Sequence, residues 1–112
     1  MKTKVLFCFW IICAVAAQSQ TSAKKRIGII GLDTSHSISF ASMFNGELAK
    51  PEFKDFEVTV AYPWGSKTIE EGYSRVPGFI EKAEKLGIKI ANSIDELLSE
   101  TDCVMLETHD GN

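Results

Sequence analysis

The feature that most constrains this chain is the alternation of short apolar runs with helical patterns, each handed to the next through glycine or proline. Residues 26–30 form a β-branched run that ends at Gly31, after which Ile38, Ala41, Phe44 and Leu48 recur at the spacing of one helix face. Residues 56–61 (FEVTVA) predict a second strand, and residues 79–86 a helix with Phe79, Ile80, Ala83 and Leu86 inward, stopped by Gly87. Residues 88–91 read as a third strand. Ser93 and Glu96 then form a capping box ahead of a brief helix through Leu97 and Leu98, and residues 102–106 (DCVML) read as a fourth strand. Continuously apolar strands alternating with helices predict an α/β fold: a doubly wound parallel sheet of about four strands with covering helices.

Right-handed crossovers put the loops that follow the strands along one edge of such a sheet, where ligands bind near the reversal of strand order. Those loops are residues 31–36, 62–78 and 107–112. The first opens the first helix, where Thr34 or Ser35 is placed to cap the free amides. Gly46 weakens the far end of that helix, and Pro51 stops it. The second loop carries Pro63, Gly65, Gly72, Pro77 and Gly78, a length that points to function or mobility.

Residues 1–17 predict a cleaved secretory signal peptide, with Lys2 and Lys4 ahead of an apolar stretch that closes on Val15, Ala16 and Ala17. The expected location is therefore exported, periplasmic or secreted, with no membrane partner after cleavage. Residues 18–25 are expected to be a flexible lead-in, and residues 26–112 the folded part. Removing the signal leaves ten basic against fifteen acidic residues, a net charge of −5 that argues against nucleic acid as a partner. It also leaves Cys103 as the single cysteine, expected to be a buried apolar residue inside its strand. The apolar fraction of 45% and charged fraction of 24% are those of ordinary globular chains, so bulk composition suggests neither disorder nor a multi-span membrane protein.

A dinucleotide site needs a tight turn after the first strand, a small residue where backbone meets the pyrophosphate, and a helix start aimed at its charge. Here the turn is Gly31-Leu32-Asp33-Thr34-Ser35-His36. Against the pattern G-x-G-x-x-G, Gly31 keeps the first glycine, Asp33 takes the second position and His36 the third. An aspartate there adds bulk and like charge beside a dianion, whereas Thr34 and Ser35 offer hydroxyl donors and His36 a cation. Asp33 and His36 are spaced to share one pocket, but two ligands are too few for a metal site. Capping by Asp33, Thr34 or Ser35 explains the same residues structurally.

Taken with Ala61-Tyr-Pro-Trp-Gly-Ser-Lys67 and Cys103-Val-Met-Leu-Glu-Thr-His-Asp-Gly-Asn112, this turn resembles the N-terminal part of the Gfo/Idh/MocA (glucose-fructose oxidoreductase/inositol dehydrogenase) family. The likeness is to a secreted branch with GLDTSH in place of the glycine fingerprint. It covers the expected mature chain and implies a partial Rossmann domain binding NAD(P), followed in full-length members by a domain for sugars or polyols. The partners implied are that cofactor and a carbohydrate, with room for an oligomer in the full-length parent. The cofactor-contacting positions it implies are Gly31, Leu32, Asp33, Thr34, Ser35, His36, Tyr62, Ser66, Lys67, Thr108 and His109. Where the family ends its second strand near an acid for the adenosine ribose, this chain has Ala61, Tyr62 and Pro63. Ser66 and Lys67 are placed instead to meet the 2′-phosphate of NADP.

The family's Glu-Lys-Pro segment, with its catalytic lysine, would lie beyond Asn112. The chain is thus expected to be a truncated first half, inactive by itself, with an apolar sheet edge that favours aggregation. Tyr62 and Trp64 can stack on an adenine or sugar ring, or fold back as partial core. His109, Asp110 and Asn112 sit where family members contact the nicotinamide half, and an ordinary polar turn has the same composition. The competing expectation is a secreted, non-catalytic carbohydrate- or protein-binding module with a degenerate nucleotide site.

Overall fold

The computed structural model describes residues 22–110; the expected signal peptide, the first half of the lead-in (residues 18–21) and Asn112 lie outside them, and the last lead-in residue, Lys25, already belongs to the first strand. Four strands form one all-parallel sheet: β1 (Lys25–Ile30), β2 (Phe56–Tyr62), β3 (Lys89–Ile90) and β4 (Cys103–Leu106), in the order β3-β2-β1-β4. The chain winds outward from β1 to β3, then crosses back to lay β4 on the other side of β1. Strand order therefore reverses between β1 and β4, the arrangement of a partial doubly wound α/β sheet compatible with a Rossmann-like fold.

Helices cover both faces. On one, α1 (Ser35–Phe44) and α3 (Val76–Lys85) enclose Ile27, Ile29, Leu32, Ala41, Val58, Ala61, Phe79, Ala83 and Ile88. On the other, Leu97 of α4 (Ile94–Ser99) packs with Val60 and Ala91. Gly28 permits this second layer, since a β-carbon there would sit 2.7 Å from Leu97 Cδ2. The β1–β2 register slips between Ile27, opposite Val58, and Gly28, opposite Val60, leaving Thr59 as a bulge residue. That extra residue is why Val58 and Ala61, three apart, reach the same core. The capping box forms, with Ser93 Oγ accepting from the Glu96 amide; the Glu96 carboxylate reaches the amide of Asn92, one residue before the one the motif predicts.

Several expectations change. The first helix ends at Phe44 and Leu48 lies beyond it, 74% exposed. What ends the helix is Asn45, whose side chain leaves the helical path and pairs with β2: Nδ2 donates to Val58 O at 2.7 Å, and Oδ1 accepts from Val58 N at 3.0 Å. The 62–78 connection is less loop-like than expected. It contains α2 (Glu70–Tyr73), and α3 starts at Val76, because Pro77 falls in a first turn whose amides have no helical partner anyway. Cys103 is exposed, not buried, because β4 is an edge strand paired only with β1, so Val104 and Leu106 are exposed beside it. Among the described residues no helix is long and apolar enough to cross a membrane.

Candidate functional site

The turn after β1 is reached from both sides. The amides of Gly31 and Leu32 donate to Tyr62 O (3.0 Å) and Trp64 O (2.9 Å), and the Glu107 amide donates to Ile30 O (2.8 Å). The loops after β2 and β4 thus continue the sheet ladder and close in on residues 31–33. Gly31 has φ +108°, and a β-carbon there would lie 2.5 Å from Thr108 Cγ2 and 2.8 Å from the carbonyl carbon of Glu107. Only glycine combines that backbone with that contact.

Asp33 is the hub of the site. Its side chain is fully buried; one carboxylate oxygen accepts from the Ser66 amide at 2.9 Å, and both accept from the His109 amide at 3.2 and 3.3 Å. His109 Nδ1 lies 3.6 Å from the same carboxylate. Gly65 and Gly72 fit closely against it, since a β-carbon on either would come within 3.3 Å of an Asp33 side-chain atom. Ser66 is equally buried: its hydroxyl donates to Asp110 at 2.7 Å and accepts from the Ile69 amide at 3.1 Å. The Thr108 hydroxyl donates to the Asp110 carbonyl.

The eleven positions implied by the resemblance therefore separate into three groups. Gly31, Leu32, Asp33 and Ser66 are buried within the turn and its loops. Thr34, Tyr62 and Thr108 are half-buried, while Ser35, His36, Lys67 and His109 reach the surface. Asp33 and His36 do not share a pocket: the carboxylate is turned inward, and the exposed imidazole stands 6.2 Å from the Phe40 ring. Ser66 is held by internal hydrogen bonds, so of the pair expected at a 2′-phosphate only Lys67 faces outward. Tyr62 and Trp64 stack on each other at 6.4 Å and 18°, with Lys67 Nζ 4.9 Å above the Trp64 ring. Sequence reading missed Gly65 and Gly72 as packing partners of Asp33. Their glycines in a polar loop were the available signal.

The start of α1 is uncapped. Thr34 occupies the N-cap position with extended backbone, but its hydroxyl makes no cap hydrogen bond and is buried with no partner. The capping expected of Asp33, Thr34 or Ser35 is thus absent: the Asp33 carboxylate is taken by the Ser66 and His109 amides, Thr34 makes no cap hydrogen bond, and Ser35 lies inside the helix; Ser37 Oγ donates to the Thr34 carbonyl. Donors suited to an anion are present: the unpaired hydroxyl of Thr34, the first-turn amides, and exposed Ser35 and His36. A groove of about 420 Å³ beside them is lined by Ser35, Ser74, Arg75 and Lys82. Room for a diphosphate over residues 31–33 is not, since Gly65, Gly72, Thr108 and His109 fill that space. In this arrangement the turn does not fit the family's cofactor pose.

Elsewhere on the surface, Arg26 pairs with Asp102 at 3.3 Å, and Lys89 pairs with Glu96 at 2.9 Å and Glu100 at 2.6 Å. Hydrogen bonding to these cations holds the Asp102 and Glu96 carboxyls below the usual carboxylate range and raises Arg26 and Lys89. Among the described residues no group of three or more histidine, cysteine, aspartate or glutamate side chains is arranged to hold a metal ion. No family model, curated protein or solved structure matches the chain.

Proposed function

We propose that the chain is the NAD(P)-binding portion of an exported oxidoreductase-like protein of the Gfo/Idh/MocA type, acting on a carbohydrate or polyol. The observation that carries this reading is the uncapped start of α1 at the reversal of strand order, directly after a glycine turn from the first strand. That is the position at which doubly wound sheets bind phosphate-bearing ligands; among the described residues the Thr34 hydroxyl has no hydrogen-bond partner and makes no cap hydrogen bond to the helix. Lys67 at the end of the β2 loop supports NADP over NAD, as no acidic side chain stands at Ala61, Tyr62 or Pro63 to take a ribose hydroxyl.

Titrating the chain with NADPH and with NADH, followed by reduced-cofactor fluorescence, tests the reading. Saturable binding, tighter for NADPH, is the expected result. No saturation at millimolar cofactor would remove it.

One observation favours a second reading. Asp33 is wholly buried and spent on internal hydrogen bonds, which suits a secreted carbohydrate- or protein-binding module whose nucleotide site has degenerated. The same titration separates the two.

A further inference from the structure

The donors of a phosphate site and the absence of space for the phosphate occur together, and the segment filling the space is fastened in an unusual way. Residues 65–73 arch over the turn with Lys67, Thr68, Ile69, Glu70, Glu71 and Tyr73 exposed; Ile69 and Tyr73 remain 38% and 49% exposed. Only Ser66 and Gly72 are buried in this stretch, and both lie against Asp33. The loop is therefore held by a carboxylate and two close glycine contacts, with little apolar burial to fix it. The loop after β4 is tied to the same carboxylate through the His109 amide, and to Ser66 through Asp110. Segments with few buried apolar contacts are those that open first.

We propose that Asp33 is the latch of a lid formed by residues 65–73 and 107–110, which must be released before a phosphate-bearing ligand reaches Thr34 and the start of α1. This rests on the nucleotide reading above. Asp33 acts as a positioning residue, not as a ligand contact: its carboxylate gathers the Ser66 and His109 amides while the lid is shut. A protein whose open form is a minor population binds with an affinity reduced by that fraction, so loosening the latch tightens binding.

Two variants of the full chain test this by different routes. Asp33→Asn keeps shape but presents an NH₂ group to amides that need an acceptor. Gly72→Ala keeps the Asp33 carboxylate but crowds the closed lid by a few tenths of an ångström, since its β-carbon would lie 3.1 Å from His109 Nδ1 and 3.3 Å from Asp33 Oδ2. Hydrogen exchange over residues 65–73 and 107–110 should quicken in both variants, with β1 and β2 unchanged, and NADPH should bind about tenfold more tightly than to the parent. Unaltered exchange in those segments overturns the latch. So does equal, saturable NADPH affinity in parent and variants, which would leave the nucleotide reading standing. Failure of all three proteins to bind NADPH would remove the nucleotide reading and the gate together. Should Asp33→Asn fail to fold, Gly72→Ala alone decides.

Discussion

Replacing Gly31 by alanine attacks the turn on two counts that can be sized separately. A residue with a β-carbon at φ +108° leaves the regions open to L side chains, a strain of about 1–2 kcal/mol. The new methyl would also meet Thr108 Cγ2 at 2.5 Å and the Glu107 carbonyl at 2.8 Å, and overpacking of this kind costs about 1–3 kcal/mol. Together they predict a loss of about 2–5 kcal/mol, a large part of the stability of a domain this size. Urea unfolding followed by circular dichroism reads it directly. Adding Thr108→Ala removes only the side-chain clash, because Glu107 is met through its backbone; recovery in the double variant should therefore be partial. A loss below about 1 kcal/mol for Gly31→Ala, or full recovery in the double variant, would refute the close packing of the β4 loop on this turn.

Asn45→Ala removes both hydrogen bonds to Val58 and a weaker one to Leu86 O at 3.3 Å, so a loss of about 2–3 kcal/mol is expected in the same assay. Asn45→Asp should be worse, because a carboxylate would face the Val58 carbonyl; a milder effect than alanine would contradict the donor assignment. Val104→Lys with Leu106→Lys should reduce association through the β4 edge, seen as a smaller weight-average mass in sedimentation. An unchanged mass distribution would exclude that edge. The depressed Asp102 and Glu96 carboxyls contribute stability that is complete above their unfolded values near 4 and is lost as pH falls through the lower folded values. The raised Lys89 works in the opposite sense, its share being lost only as pH climbs past about 10.5. The urea midpoint should accordingly fall below pH about 4, and by less in Arg26→Gln/Lys89→Gln; equal falls would show the pairs to be without effect.

Element order and the parallel sheet were legible because they rest on local period: apolar runs at β1, β2 and β4, and a helical face at Phe79, Ile80, Ala83 and Leu86. What failed depended on distant partners. Leu48 continued the period of α1 past its true end, since nothing local reveals that Asn45 pairs with a strand 13 residues away. Cys103 sits in a run indistinguishable from a central strand, and only the strand order shows that it lies at an edge. The bulge at Thr59 likewise belongs to the pairing, not to the segment. At the site, the turn and its three loops were visible as positions. The role of Asp33 was not: its partners lie 33 and 76 residues on, and an aspartate in a glycine motif reads as a charge set against a ligand until those amides are found around it.

The two ends of α1 are built differently, and the difference bears on what its start is for. At its far end, Asn45 stands in for a neighbouring strand, satisfying both the amide and the carbonyl of Val58 where β3 is too short to pair. At its start, the N-cap Thr34 makes no side-chain hydrogen bond to the first turn, although Asp33, Thr34 and Ser35 are all residue types that cap helices well. Asp33 is directed to loops instead, and the Thr34 hydroxyl is left unpaired at a cost of about 1–3 kcal/mol. A helix fastened firmly at one end tolerates that cost at the other. Local sequence rules broken at one helix start, beside the reversal of strand order, and kept elsewhere in the same helix, are the pattern expected where function competes with stability. A serine-type cap restored by design at Thr34 would stabilise α1 and, on this reasoning, weaken NADPH binding in the open-lid variants.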